Sequence, residues 1–337
     1  MNTKCMYVAL LAVLSITALV AIPQELSIAE YCRQIEWMRL WRYLDFDISM
    51  QATKYPEAVA VVKRAFGFEG RELMALCRQL YEKNNPSMLV PRKECIIPKI
   101  IHQIWLGGSL PQELEELVDN VKKAHVGRGW QYKLWTDDDL KDLQLYNQKY
   151  FDEAKNAGAR SDMLRYEILY RYGGVYLDTD YEVLQPLDEL HYLYDMYVGM
   201  EPLDTKIAKV GLSIVAARPG HPTIAHYMRT IKDDWHRAGV VQRTGPWHWT
   251  RSFFVAAGRE GNRDIVFPST YFYPMGAHEK DARDEEGMRK KRQEWTAQGA
   301  YAIHHFANSW FFSPGRRARF KTIKNDEQTK NCNTFDV

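Results

Sequence analysis

Hydrophobic and polar positions divide the chain into three textures. From Met6 to Ile22 the 17 residues carry no charge, and Lys4 precedes them. A run of that length sits at the lower limit of about 17 residues for a membrane-spanning helix, and it also suits the apolar part of a signal peptide. Ser27-Ile28-Ala29 adds a small-x-small cleavage pattern somewhat downstream. Residues 1–26 are therefore expected to be a signal peptide or a single anchor, which implies export or a membrane face. From residue 27 to 95 the apolar positions recur at helical spacing, as in Ile35, Met38, Trp41 and Leu44, and again in Leu73, Leu76, Leu80 and Tyr81. The stretch Asn84-Asn85-Pro86-Ser87 breaks the last helix, and Pro91 begins a connector.

At Ile96 the texture changes to alternating strands and helices. Ile97 to Trp105 predicts a buried strand running into Leu106-Gly107-Gly108, and Trp130 to Trp135 predicts a second. Asp137 to Leu145 predicts a helix with an acidic start. Ser161 is suited to cap a helix that Gly173 ends in a left-handed conformation. Val175-Tyr176-Leu177 follows as a short strand, and Leu212 to Ala217 as another. Arg243-Thr244-Gly245-Pro246-Trp247 makes a tight turn ahead of a helix over Thr250 to Ala257, and Asp281 to Arg292 is charged enough for a mobile, solvated loop. Alternation of this kind predicts an α/β domain over 96–337 with a largely parallel sheet, whose ligands sit beyond the carboxyl ends of the strands.

Composition excludes more than it selects. With 46% hydrophobic and 26% charged residues in 337, the chain is neither collagen-like nor disordered. Lys plus Arg is 45 against 43 for Asp plus Glu, a formal charge of +2. That balance offers no long-range attraction for nucleic acid, so an anionic ligand needs a local site. Outside the leader, which contains Cys5, four cysteines (Cys32, Cys77, Cys95 and Cys332) can pair in an oxidising compartment or remain thiols, and none forms a CxxC motif.

Chemistry concentrates where the predicted third strand ends. Asp162 and Arg165 share a helix face through i,i+3 spacing, by itself a modest ion pair. Asp178 and Asp180 flank Thr179 just after Val175-Tyr176-Leu177. On an extended strand both carboxylates point to one side, where they repel unless a proton or a cation intervenes. A hard divalent ion relieves that repulsion and can also grip a diphosphate.

The stretch from Ala159-Arg160-Ser161-Asp162-Met163-Leu164-Arg165-Tyr166 to Leu177-Asp178-Thr179-Asp180 resembles the DXD region of retaining glycosyltransferases of the GT-A fold, above all glycosyltransferase family 32. It is also similar to the catalytic domains of the clostridial glucosylating toxins. Two further blocks match in order, Ile104-Trp105-Leu106-Gly107-Gly108 and Ala302-Ile303-His304-His305-Phe306-Ala307-Asn308-Ser309-Trp310. The resemblance covers roughly residues 96 to 312. It implies a Rossmann-like, mixed but mostly parallel sheet flanked by helices, behind an N-terminal helical segment. It also implies donor contacts at Trp105 (stacked on the base), Tyr176, Asp162, Arg165, Asp178, Ser309 and Trp310. Metal binding falls to Asp180 with Asp178 and one histidine. Adjacent strand residues point oppositely, so one of His304 and His305 is the ligand; spacing to Trp310 favours His305. A neutral imidazole suits Mn2+ better than Mg2+.

The reaction implied is transfer of a hexose from a UDP- or GDP-sugar to a hydroxyl of a glycan, lipid or protein, with retention at the anomeric carbon. Asp178, Asp180, Asp162 and Arg165 carry it, and membrane association would come through the N-terminal segment. Two rivals stand beside it. One is a degenerate transferase that binds a nucleotide sugar or glycan without turnover. The other is a haloacid dehalogenase-like phosphatase, which also uses Asp-x-Asp after an apolar strand. That class wants Thr or Val two positions after the second aspartate, and Glu182 stands there.

Overall fold

Short apolar runs separated by turns assemble into one six-stranded sheet, ordered β2-β1-β3-β6-β5-β7. Its strands are β1 (Ile100–Ile104), β2 (Gln131–Trp135), β3 (Gly174–Leu177), β5 (Met196–Met200), β6 (Val210–Ala217) and β7 (Asp264–Phe267). A separate antiparallel pair joins β4 (Tyr181–Val183) to β8 (Ala302–His304). The computed structural model describes residues 44–60, 66–141, 143–279 and 285–307. Within the large sheet only β6 opposes its neighbours, running antiparallel to β3 and β5, while the remaining pairs are parallel. Every residue of β3, β5, β6 and β7 is buried, as strands covered on both faces require. The expected mixed, mostly parallel sheet flanked by helices is thus the observed fold, with helices preceding the sheet.

The long helices are α1 (Gly70–Lys83), α2 (Gln112–His125), α3 (Ala157–Tyr172), α4 (Pro222–Asp234), α5 (Pro246–Ala256) and α6 (Glu285–Ala297). In α1 the apolar stripe Leu73, Met74, Cys77, Leu80 and Tyr81 is buried. Tyr81 meets Phe267 of β7 at 6.4 Å between ring centroids, and the Asn84 amide donates to the Asp264 carbonyl at 2.8 Å. Helix α1 thereby rests on the β7 edge of the sheet.

Three local expectations needed revision. Asp137 begins a single 3-10 turn that ends at Leu140, its start capped by Asp139, which accepts from the Thr136 amide and hydroxyl. Helix α3 starts four residues before Ser161, where the Asn156 side chain accepts from the amides of Gly158 and Ala159. The charged segment expected to be a solvated loop is largely α6. Its residues Met288 and Trp295 are buried at 7% and 8% exposure, and Glu286 pairs with Arg289 one turn on.

The expected anchor and its implied membrane location gain no support from the described residues. Among the described residues no helix is long and apolar enough to cross a membrane. The run Met6 to Ile22 itself lies outside them. Cys77 and Cys95 are free thiols, and the other cysteines lie outside the described residues.

Glycine decides how closely β1 and β3 approach. Gly174 opens β3 at φ 98°, and a Cβ there would stand 2.5 Å from the Ile100 carbonyl oxygen. Only a residue without a side chain fits both constraints. The approach sets β3 level with β1, so that Asp178 and Trp105 emerge at the same end of the sheet.

Candidate metal and sugar-binding site

Helix α3 runs back along β1 and β3, so its first turns lie at the carboxyl ends of the strands. Asp162 and Arg165 sit there, 6% and 4% exposed. The Arg165 guanidinium donates to Asp162 Oδ1 at 2.9 Å, to Asp178 Oδ1 at 3.2 Å and to the Leu212 carbonyl at 2.7 Å. Its carbon lies 4.3 Å from the centre of the Tyr176 ring. Tyr176 in turn donates its hydroxyl to Asp178 Oδ1 at 2.6 Å. The second oxygen of Asp162 accepts from the Thr244 hydroxyl at 3.0 Å. Burial pushes the Asp162 carboxyl up to about 6, although Arg165 and Thr244 pull the other way. The ion pair suggested by i,i+3 spacing is therefore the centre of a buried network joining α3, β3, β6 and the turn before α5.

Asp178 and Asp180 come together by a route that strand alternation did not describe. Strand β3 ends at Leu177, and a turn follows in which the Tyr181 amide donates to the Asp178 carbonyl at 3.2 Å. Strand β8 then delivers His304. One oxygen of Asp178, one of Asp180 and a ring nitrogen of His304 all lie within 4.8 Å of one another. His304 Nε2 is 3.2 Å from Asp180 Oδ1 and 3.7 Å from Asp178 Oδ2. Burial opposes charge on His304, but the Asp180 and Asp178 carboxylates outweigh it and raise the imidazole to about 10. Burial also opposes ionisation of Asp180, yet His304 and the Ala307 amide bring it down to about 2. Such a pair of carboxylates calls for positive charge between them.

The three side chains fit a divalent ion on their own chemistry. Two carboxylate oxygens and one imidazole nitrogen form a hard-to-borderline donor set. His304 Nε2 faces both carboxylates, so a divalent ion held there would take the place of its proton, while Nδ1 is buried with no hydrogen-bond partner.

The other expected residues are distributed as follows. His305 faces away from the two aspartates, with Nε2 3.0 Å from Glu182 Oε2. The structure thus brings His304, not His305, to the carboxylates. Trp105 lies just past β1, 7% exposed, and its indole N–H donates to the Ser109 carbonyl at 3.0 Å. Tyr176 is a brace, almost wholly buried between Arg165 and Asp178. Ser309 and Trp310 lie outside the described residues. Beyond these, Trp249 is fully buried and donates to the Gly211 carbonyl, and the half-buried Trp247 packs edge-on against Phe66.

Sequence reasoning overlooked Gln103, Tyr132 and Tyr273. Gln103 donates from its amide to the Asp178 carbonyl at 3.2 Å and accepts from the Tyr132 hydroxyl at 2.7 Å. An amide next to His102 in a strand whose other residues are isoleucines was the available signal. Tyr273 packs edge-on against His304 with ring centroids 5.5 Å apart. Its space comes from Gly199 and Gly211, where a Cβ would lie 2.9 and 2.2 Å from the tyrosine ring and hydroxyl.

Residues 111–196 match the family described as a glycosyltransferase sugar-binding region containing a DXD motif. Inositol phosphoceramide mannosyltransferase 1 of Schizosaccharomyces pombe is 34% identical over 99 residues, which is 28% of this chain and 31% of that protein. The uncharacterized glycosyltransferase L373 of Acanthamoeba polyphaga mimivirus is 24% identical over 226 residues, covering 64% of this chain and 84% of the viral one. Among solved structures, the catalytic domain of alpha-toxin from Clostridium novyi aligns with a TM-score of 0.38 and 12% identity, over 65% of this chain and 74% of the toxin chain. The chain spans less than half the length of the fungal relatives it matches. It is a glycosyltransferase-like protein of GT-A-like fold, related to fungal mannosyltransferases, with an Asp-Asp-His group capable of holding a divalent cation.

Proposed function

We propose that this protein is a metal-dependent hexosyltransferase of the family 32 type. It would move a hexose from a nucleoside diphosphate to a hydroxyl of a glycan, lipid or protein acceptor, with retention at the anomeric carbon. The observation that carries the reading is the convergence of Asp178, Asp180 and His304 within 4.8 Å beside the buried Asp162–Arg165 pair. Asp180, Asp178 and His304 would hold Mn2+ or Mg2+, and the imidazole favours manganese. When bound, that ion supplies positive charge to the diphosphate as it leaves.

The remaining work falls to side chains of this chain. Arg165 holds Asp178 and Asp162 in place, and the two carboxylates leave the charge beside the sugar net negative, which suits the oxocarbenium character that develops as its C1–O bond breaks. Asp162, fixed by Arg165 and Thr244, faces the same region and can accept a sugar hydroxyl. Trp105 is assigned to the base, and Ser309 and Trp310 to the diphosphate. Among the described residues no carboxylate is free to act as a nucleophile beside these groups. A front-face path follows, in which the acceptor hydroxyl forms the new C1–O bond and its proton passes to a departing phosphate oxygen.

The names of the fungal relatives make mannose the hexose to test first. A panel of GDP- and UDP-sugars with Mn2+, monitored for release of GDP or UDP, tests the reading. Turnover with one donor that disappears in Asp180→Ala is the expected result. Transfer undiminished in that variant, or none with any donor, overturns it.

A further inference from the structure

Beside the cation site stands a second set of charged groups that the proposed chemistry does not use. Glu182 on β4 accepts from Arg292 of α6 through two bonds, Nε to Oε1 at 2.6 Å and Nη2 to Oε2 at 3.1 Å. The same Oε2 lies 3.0 Å from His305 Nε2. The Glu182 side chain is 12% exposed and that of Arg292 38%, so a largely buried carboxylate is held in a bidentate pair by a partly exposed guanidinium. His305 opens the turn His305-Phe306-Ala307 that follows β8. Phe306 takes φ 50°, a strained conformation that is uncommon for a bulky side chain. Strain of this kind persists when the surroundings over-determine it.

What the turn accomplishes is local and specific. The His305 amide donates to the Asp180 carbonyl at 3.0 Å, and the Ala307 amide to Asp180 Oδ2 at 2.7 Å. Phe306 lays its ring edge-on against His304, with centroids 4.3 Å apart. One strained turn therefore orients two of the three cation-binding side chains. On its outer side the turn is held by His305, and His305 by Glu182 and Arg292.

We infer that Arg292, Glu182 and His305 are positioning residues: they clamp the 305–307 turn so that Asp180 and His304 keep the spacing a divalent ion needs. This rests on the proposed metal-dependent reading. It also assigns His305 a role apart from the cation, with its Nε2 held against Glu182. The helix α6 becomes part of the site's support without touching it.

The test is Mn2+ binding to the whole purified chain without donor, followed by calorimetry and by the electron paramagnetic resonance signal of free Mn2+. Measurements are made well below the melting temperature of each variant. The parent is expected to bind one Mn2+ and Asp180→Ala to lose it. Glu182→Ala and Arg292→Ala should bind roughly 10-fold or more weakly, the usual effect of removing an outer support. Glu182→Gln and Arg292→Lys, which keep volume and part of the bonding, should fall between. If the alanine variants do not fold, this conservative pair decides the matter. Parental affinity in every folded Glu182 and Arg292 variant would overturn the clamp and leave the transferase reading standing. A parent chain that binds no Mn2+ would overturn both.

Discussion

Arg165 is the side chain on which most of the site depends. It is one cation set against two carboxylates, Asp162 and Asp178, with a side-chain exposure of 5%. Taking such charges out of water is costly, and a buried network is stable only while each member is paired. Arg165→Ala would leave Asp162 facing an apolar gap and Asp178 without its brace. A loss of about 3–5 kcal/mol in unfolding free energy is expected, read from the denaturant midpoint at constant slope. A midpoint equal to the parent's would contradict this account. His102 illustrates the opposite kind of burial. Its Nε2 lies 2.9 Å from the Gly173 carbonyl, and Nδ1 accepts from the Trp135 indole at 3.2 Å. The neutral ring satisfies both partners, and burial lowers its pKa to about 4 despite the Gly173 bond. The folded state thus binds fewer protons than the unfolded state between the ordinary value of 6.5 and about 4. The stability this provides is complete above pH 6.5 and is lost as pH falls through that window. Between pH 7 and pH 5 the loss from this one group is about 2 kcal/mol. His102→Gln should show a correspondingly flatter profile over that interval in urea titrations.

At the scale of elements, legibility followed pattern strength. The strands β1, β2 and β3 were readable because short runs rich in β-branched and aromatic residues ended at glycines or acidic turns. Helix α3 was readable for its length, but its start was not, since Ser161 and Asn156 are equally good caps and only tertiary packing chooses between them. Helix α6 was hidden by composition. Charged residues dominate it, and the signal lay in two apolar residues, Met288 and Trp295, one heptad apart on the buried side. Asp178, Asp180 and one of two histidines were readable as a group. Which histidine was not, because register across β4 and β8 pairs Tyr181 with His304, and that pairing is a fact of tertiary structure. Gly174 carries the prediction at this scale. A Cβ at φ 98° and 2.5 Å from the Ile100 oxygen combines a strained backbone with a backbone clash. Gly174→Ala should therefore lose more than about 2 kcal/mol, from about 1–3 kcal/mol of strain and a similar overpacking cost. A thermal midpoint within a degree of the parent's would refute the close approach of β1 and β3.

For the molecule as a whole, the charge balance of +2 leaves binding of a polyanionic donor to local groups. Two aspartates at the mouth of such a site would repel a diphosphate if they met it alone, because like charges at these distances raise each other's energy. Cation and nucleotide should therefore bind as partners, each increasing the other's affinity by the same factor. Thermal melting of the chain exposes this directly. Mn2+ alone should raise the midpoint modestly, GDP or UDP alone should leave it nearly unchanged, and the two together should raise it by more than the sum. A ligand present at 100 times its dissociation constant stabilises the folded state by about 2.7 kcal/mol, enough for a shift of several degrees. In Asp180→Ala the synergy should vanish, leaving each addition with the small effect of an unspecific salt. Equal stabilisation by nucleotide with and without Mn2+ would mean that the diphosphate is held by side chains outside the Asp178–Asp180–His304 group, and the chemistry assigned to it would fail.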